Sequence, residues 1–319
     1  MSEYVIAVHG GAGTISPGQV DVTPYHEGLK AALQAGGDVL RRGGSALDAV
    51  QAAVQSLEDC PLFNAGRGSV YTSDERHEMD ASIMDGQCRK VGAVAGVHGV
   101  RNPVALARAV MDHTQHVLLV GDGALKVARE QGLATEDAAY FHTEERLAQL
   151  HRVRAQGRGA MALDHTGQAI VGANPAPICE DSKYGTVGAV ALDLAGHLAA
   201  AVSTGGMTNK HPGRVGDSPI VGAGIYANDA SCAVACTGTG EQFMRACVGH
   251  DVHARMAYQG DSLESAAHAA VFGDLLAMGG SGGLIAVDHR GHVSMPFNSL
   301  GMYRGVLRSN EPAQTFIFQ

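Results

Sequence analysis

The chain of 319 residues has no tryptophan, and aromatic residues make up only 5% of it, which argues against a greasy binding surface. It has no apolar run long enough to span a bilayer, and its start enters the β-prone run Tyr4-Val5-Ile6-Ala7-Val8 with no basic region and long apolar stretch ahead of it. Neither a membrane span nor a signal peptide is therefore expected, and the cytosol is the expected compartment. Basic residues are outnumbered: 23 Lys and Arg against 32 Asp and Glu give a formal net charge of -9 with no visible basic patch. That argues against nucleic acid as a partner, but not against a small anion held by one or two local cations. The six cysteines, Cys60, Cys88, Cys179, Cys232, Cys236 and Cys247, lack the paired spacing of a zinc site or a secreted disulfide frame, so they are expected to be reduced. Sixteen histidines occur without H-E-x-x-H or Cys-x-x-Cys spacing, which leaves no zinc signature.

Glycine, by contrast, is abundant at 43 residues, which suits tight turns and closely packed layers. A chain of this length buries roughly three quarters of its unfolded surface, and no long linker divides it, so residues 1–319 read as one domain. Thr23-Pro24 signals a helix start, with a helix from Glu27 to Arg42 stopped by Gly43-Gly44. A second begins at Ser45, its buried face carrying Leu47, Val50, Val54 and Leu57 at three- and four-residue spacing. Short strands are expected at 69–71, 79–84 and 91–97, a helix from Asn102-Pro103 through Met111, a buried strand at 117–120 and helical segments across most of 123–156. Three Asp- and Gly-containing turns between apolar runs, at 162–167, 191–196 and 286–291, predict hairpins of antiparallel sheet. Helices are expected at 241–256 and 262–278. Strands grouped with strands and helices with helices point to stacked layers rather than alternating βαβ units.

One stretch carries chemistry by its order. The prolines and missing hydrophobic period of 174–184 mark an exposed, flexible segment, and Gly185-Thr186 follows at the head of the strand-like run Thr186 to Leu192. A hydroxyl there is placed to attack the preceding peptide carbon, and Gly185 offers no side chain to crowd it. Cleavage would leave Thr186 as a new N-terminus, its hydroxyl activated by its own α-amine. A competing motif, Gly279-Gly280-Ser281-Gly282-Gly283, satisfies G-x-S-x-G, but it follows a helical run and precedes a strand, the reverse of a nucleophile elbow. In the polar, glycine-rich stretch 204–217, Arg214 and Asp217 stand three residues apart, compatible with an incidental ion pair on a solvated loop.

Six blocks, His9 to Gly13, Asn64 to Gly66, Gly185 to Asp193, Ser203 to Lys210, Pro212 to Pro219 and Cys236 to Glu241, resemble the plant-type L-asparaginases, also called isoaspartyl peptidases, a group of N-terminal nucleophile hydrolases. The resemblance runs from about residue 4 to about 304. It implies an α+β fold, a four-layer αββα sandwich with two antiparallel sheets between helical layers. It implies autocleavage between Gly185 and Thr186, giving an α subunit of residues 1–185, whose end from 157 is a flexible linker, and a β subunit of residues 186–319, assembled as a dimer of αβ heterodimers. Asparagine and isoaspartyl dipeptides are the implied substrates. The implied roles are Thr186 as nucleophile, Thr204 as its assistant, Thr237 and Gly238 as oxyanion donors, and Arg214 and Asp217, with Gly240, as the clamp on the substrate's amino-acid head. No cofactor is implied for catalysis. A structural sodium ion is implied on backbone carbonyls of Leu57, Glu58, Cys60, Phe63, Ala65 and Arg67, where Arg67 departs from the small or apolar residue of the pattern. Two other readings are a glycosylasparaginase-like amidase, whose usual secretion and disulfides have no sign here, and an uncleaved, non-catalytic relative, against which intact Gly185 and Thr186 stand.

Overall fold

A computed structural model describes residues 3–13, 21–155 and 185–319. The predicted turn at 162–167 and the segment 157–184 lie outside the described residues. In chain order the strands are β1 (Val5–Gly13), β2 (Met79–Asp85), β3 (Val91–Val97), β4 (Leu118–Val120), β5 (Thr186–Leu192), β6 (Leu198–Thr204), β7 (Ile225–Ala227), β8 (Cys232–Gly238), β9 (Gly282–Asp288), β10 (Val293–Ser294), β11 (Gly301–Arg308) and β12 (Gln314–Phe316). The helices are α1 (Thr23–Arg41), α2 (Ala46–Glu58), α3 (Pro103–His113), α4 (Gly121–Glu130), α5 (Ala138–Phe141), α6 (Glu144–Ala155), α7 (Gly240–Ala246), α8 (Val248–Ala254) and α9 (Leu263–Ala269).

Two sheets result. The larger has the order β12-β11-β1-β5-β6-β2-β3-β4 and the smaller β10-β9-β8-β7. Side chains alternate across each strand, so one strand serves two cores. Along β1, Ile6 and Val8 enter a core with α1 to α4, whereas Val5 and Ala7 face a second core shared with the small sheet. Along β8, Ala233 and Ala235 fill that second core, while Val234 and Cys236 join a third with α7 to α9. Small residues let the sheets meet: a Cβ on Gly188 would lie 3.0 Å from that of Ala235.

Elements marked by a cap or a breaker form where the sequence places them. Ser45 caps α2, accepting a hydrogen bond from Asp48 N at 3.1 Å, and the predicted turns at 191–196 and 286–291 join β5 to β6 and β9 to β10. Several expectations need correction. The first helix starts at Thr23 rather than Glu27, with no side-chain cap at Val22. Leu47 is only half-buried, because Ala49 and Ala53 take the inner face of α2 beside Val50, Val54 and Leu57. Residues 69–71 form no strand, only an isolated bridge from Thr72 to Lys210. The apolar run at 117–120 is an exposed edge strand, Val120 being 62% accessible, and it pairs with β3 in parallel, so the large sheet is not wholly antiparallel. The helix expected over 241–256 breaks at Cys247, held left-handed at φ 49, and α8 and α9 each continue into a wider π-helical stretch, Arg255–Gln259 and Ala270–Leu275. Free thiols are found at Cys60, Cys88, Cys232, Cys236 and Cys247, while Cys179 lies outside the described residues.

Candidate active site

Strand register assembles the first part of the site. Thr186 opens β5 and is paired across the sheet with Thr204, the last residue of β6. Thr204 Oγ1 donates to the Gly185 carbonyl at 3.3 Å and accepts from Gly206 N at 2.9 Å. Thr186 is buried, and its Oγ1 lies 3.5 Å from Ser218 Oγ. A Cβ on Gly185 would sit 3.0 Å from Asn64 Cβ, tighter than ordinary packing, so glycine fits this position where a larger residue would push on Asn64. Asn64 in turn ties the 60–68 loop to the site, accepting from Gly205 N through its backbone at 3.1 Å and donating from Nδ2 to Gly206 O at 2.7 Å.

The small sheet supplies the far wall. Thr237 and Gly238 end β8, and Thr237 Oγ1 accepts from Ala12 N of the other sheet at 3.2 Å. The strand runs through Gly238, and α7 begins at Gly240. Gly238 adopts φ 152, and a Cβ there would strike Ser281 O at 2.3 Å. Ser281, the serine of the competing G-x-S-x-G motif, precedes β9 and follows no strand, so no nucleophile elbow is formed.

The loop after β6 brings the charges. Arg214 forms a two-pronged ion pair, Nε to Glu241 Oε1 and Nη2 to Glu241 Oε2, both 2.9 Å. The carboxylate it grips is thus Glu241 and not Asp217. Asp217 is buried, its Oδ2 has no hydrogen-bond partner among the described residues, and burial pushes its carboxyl up to about 7 although Arg214 pulls the other way. Gly240 makes room for both, since a Cβ there would lie 2.8 Å from Asp217 Oδ1 and 3.1 Å from Arg214 Nη2. Gly185, Thr186, Thr204, Arg214, Asp217 and Gly238 line one cavity together with Gly206, Met207, Gly216 and Ser218.

Four contributors carry no signal of a site role in the sequence, although each lies within one of the six blocks: Asn64, Glu241, His9 and Ser218. His9 Nδ1 lies 2.9 Å from the Thr186 carbonyl, and burial drives its pKa down to about 3, so the imidazole there is neutral at physiological pH. It touches the Thr186 backbone, and no contact joins it to the hydroxyl.

The 57–67 loop forms a tight turn beneath Asn64. The carbonyls of Leu57, Cys60, Phe63 and Ala65 each accept one backbone N–H at 3.0 to 3.4 Å, leaving each a second lone pair. A Cβ at Gly66 would fall 2.5 Å from Glu58 O, and one at Gly68 2.0 Å from Phe63 O. Each glycine thus lets a backbone carbonyl approach where a side chain would block it, and carbonyl oxygens are the donor type a hard cation takes. Among the described residues no cluster of His, Cys, Asp or Glu could hold a metal. The exposed Arg67 guanidinium lies 5.6 Å over the Tyr140 ring, which turns its charge away from the loop interior. Among the described residues no helix is long and apolar enough to cross a membrane.

Comparison with known proteins places this geometry in context. A family model described as asparaginase matches residues 2–317. An isoaspartyl peptidase of Escherichia coli (strain K12) is 52% identical over 322 residues, covering 100% of this chain and 97% of the relative. A probable isoaspartyl peptidase/L-asparaginase 2 of Arabidopsis thaliana is 43% identical over 96% of each chain. An isoaspartyl peptidase/L-asparaginase of Rattus norvegicus is 42% identical over 93% of this chain and 84% of the relative.

Proposed function

This chain belongs to the asparaginase family, and from that premise and the geometry around Thr186 we propose that it is a self-cleaving threonine amidohydrolase acting on isoaspartyl dipeptides and L-asparagine. The observation that carries the proposal is the hydrogen bond from Thr204 Oγ1 to the Gly185 carbonyl, directly before buried Thr186. A donor on that oxygen polarises the carbonyl next to the candidate nucleophile.

In self-cleavage Thr186 Oγ bonds to the Gly185 carbonyl carbon, the peptide C–N bond breaks, and the hydroxyl proton ends on the Thr186 nitrogen. Water hydrolyses the ester, releasing the Gly185 carboxylate and restoring the hydroxyl. The products are an α subunit of residues 1–185 and a β subunit of residues 186–319. In turnover the freed α-amine takes the Thr186 proton as Oγ attacks the substrate's β-carbonyl, and that proton leaves with the departing amine. The resulting β-aspartyl ester is hydrolysed to aspartate. Thr237 and Gly238 serve the developing oxyanion, while Arg214 and Asp217 receive the α-carboxylate and α-ammonium of the head, with Gly240 giving them space.

The finer architecture follows the same reading: three cores separating helices, large sheet, small sheet and helices support the αββα order. Backbone carbonyls of Leu57, Glu58, Cys60, Phe63, Ala65 and Arg67 would hold a sodium ion, whose charge would stiffen the turn under Asn64. The mature protein is read as a dimer of αβ heterodimers in the cytoplasm, with no cofactor needed for catalysis. A denaturing mass spectrum tests the core of the proposal. Purified protein should give two chains divided before residue 186, and Thr186→Ala should remain one chain with no detectable turnover. A Thr186→Ala chain still split at that bond would end the self-cleavage mechanism.

A further inference from the structure

A second cavity adjoins the one just described. It is lined by Gly10, Ala12, Tyr25, Arg146, Gly185 and Tyr303, among others, and Gly185 is the residue common to both cavities. Its aromatic wall is rigid: the Tyr25 and Tyr303 rings stack with centroids 4.5 Å apart and planes 7° from parallel. Arg146 is 7% exposed, and among the described residues its guanidinium donates to neutral oxygens, Gly68 O at 2.8 Å, Leu62 O at 3.2 Å and Gln149 Oε1 at 3.2 Å. Glu145 lines the same cavity but is exposed, and no carboxylate among the described residues stands in ion-pair contact with Arg146. Burial lowers the Arg146 pKa and the charge of nearby Glu145 only partly opposes it, and a buried cation with no carboxylate in contact is costly. An anion arriving beside it recovers that cost, and a carboxylate matches the planar guanidinium.

The position of this charge relative to the reacting bond gives it meaning. An amide carbon attacked by Thr186 carries the aspartyl head on one side and the departing amine on the other. The head belongs with Arg214 and Asp217, so the departing group extends away from that cavity, past the place held by Gly185. An isoaspartyl dipeptide bears a carboxylate at each end, and the chain offers one guanidinium in each cavity. Asparagine bears only one. We propose that the second cavity is the leaving-group subsite, in which Arg146 receives the α-carboxylate of the residue released from a β-aspartyl dipeptide and the Tyr25–Tyr303 stack supports its side chain. This assignment rests on the amidohydrolase reading above. Exposed Glu145 then favours a basic over an acidic side chain on the departing residue.

The test compares three substrates on the processed protein: β-aspartyl-leucine, the same dipeptide with its terminal carboxylate capped as an amide, and asparagine. The free acid should exceed its capped form in kcat/KM by about tenfold or more, the range of a charged hydrogen bond. Arg146→Gln should bring the two forms close to equality, and Arg146→Lys should retain part of the difference. Because Arg146 also ties down Gly68 and Leu62, the wild-type ratio decides alone where a variant does not fold. Equal hydrolysis of free and capped dipeptides by wild type overturns the subsite while leaving the hydrolase intact. A difference that survives in folded Arg146→Gln overturns the role of Arg146. No hydrolysis of any of the three overturns the amidohydrolase reading and the subsite with it.

Discussion

The hydroxyls at the candidate site and its charges are held in different ways. Thr186, Thr204 and Thr237 stand on strands β5, β6 and β8, and the ladder between β5 and β6 sets Thr186 opposite Thr204. Arg214 and Asp217 stand on the loop between β6 and β7, where the Glu241 ion pair and deep burial do the holding. A strand position is over-determined by its neighbours on both sides, whereas a loop position depends on a few specific contacts. The difference suggests a division of labour. Chemistry on the chain's own Gly185 carbonyl needs only the strand-borne group, and recognition of a separate substrate needs the loop.

The sharpest way to break that division is Arg214→Ala. The chain should still be cut before Thr186, as read on a denaturing gel, while kcat/KM for both asparagine and β-aspartyl peptides falls tens- to thousands-fold, matching the loss of about 2 to 5 kcal/mol from a desolvated charged contact. Arg214→Lys should fall between, keeping the charge but losing the fork. An uncut Arg214→Ala chain would show that loop and strands act as one unit.

A smaller effect concerns pH. Burial raises the Asp217 carboxyl to about 7, so below that value it is protonated and cannot pair with an ammonium group. Above it the carboxylate forms, and this group alone should raise kcat/KM about tenfold between pH 6 and 8. The Thr186 α-amine, ordinarily titrating near ~8, acts in the same direction. Asp217→Asn separates the two: it should lower activity and leave only the amine's limb. A profile unchanged by Asp217→Asn would place the acid limb wholly on the amine.

Arg67→Ala should have the least effect. Its exposed guanidinium stacks over Tyr140, a contact worth about 0.5 to 1 kcal/mol, so a small fall in melting temperature and near-normal turnover are expected. A loss of turnover comparable to that of Arg214→Ala would mean that loop charges act collectively rather than through the contacts described.

How far the sequence could be read depended on how local each feature is. Ser45 at the head of α2 and the Asp- and Gly-containing turns at 191–196 and 286–291 announce themselves, because the residue that makes the turn or cap is also its cause. The run at 117–120 misled because hydrophobicity marks a strand but not whether another layer covers it, and β4 ends at the sheet's edge. The break at Cys247 carries no Gly or Pro to signal it.

By itself the sequence determined that Thr186 heads a strand, and its ordered blocks pointed to Thr204, Arg214, Asp217, Thr237 and Gly238 as candidate site residues. Only the tertiary structure decided how they meet. The Thr204 bond to Gly185, the grip of Glu241 on Arg214, the unpartnered oxygen of Asp217 and the placing of Arg146 in a cavity beside Gly185 all join residues far apart in the chain. Caps and turns are set by near neighbours, which a sequence displays. A desolvated charge and its partner are set by which strands and loops close around them, and that exists only once the sheets have packed.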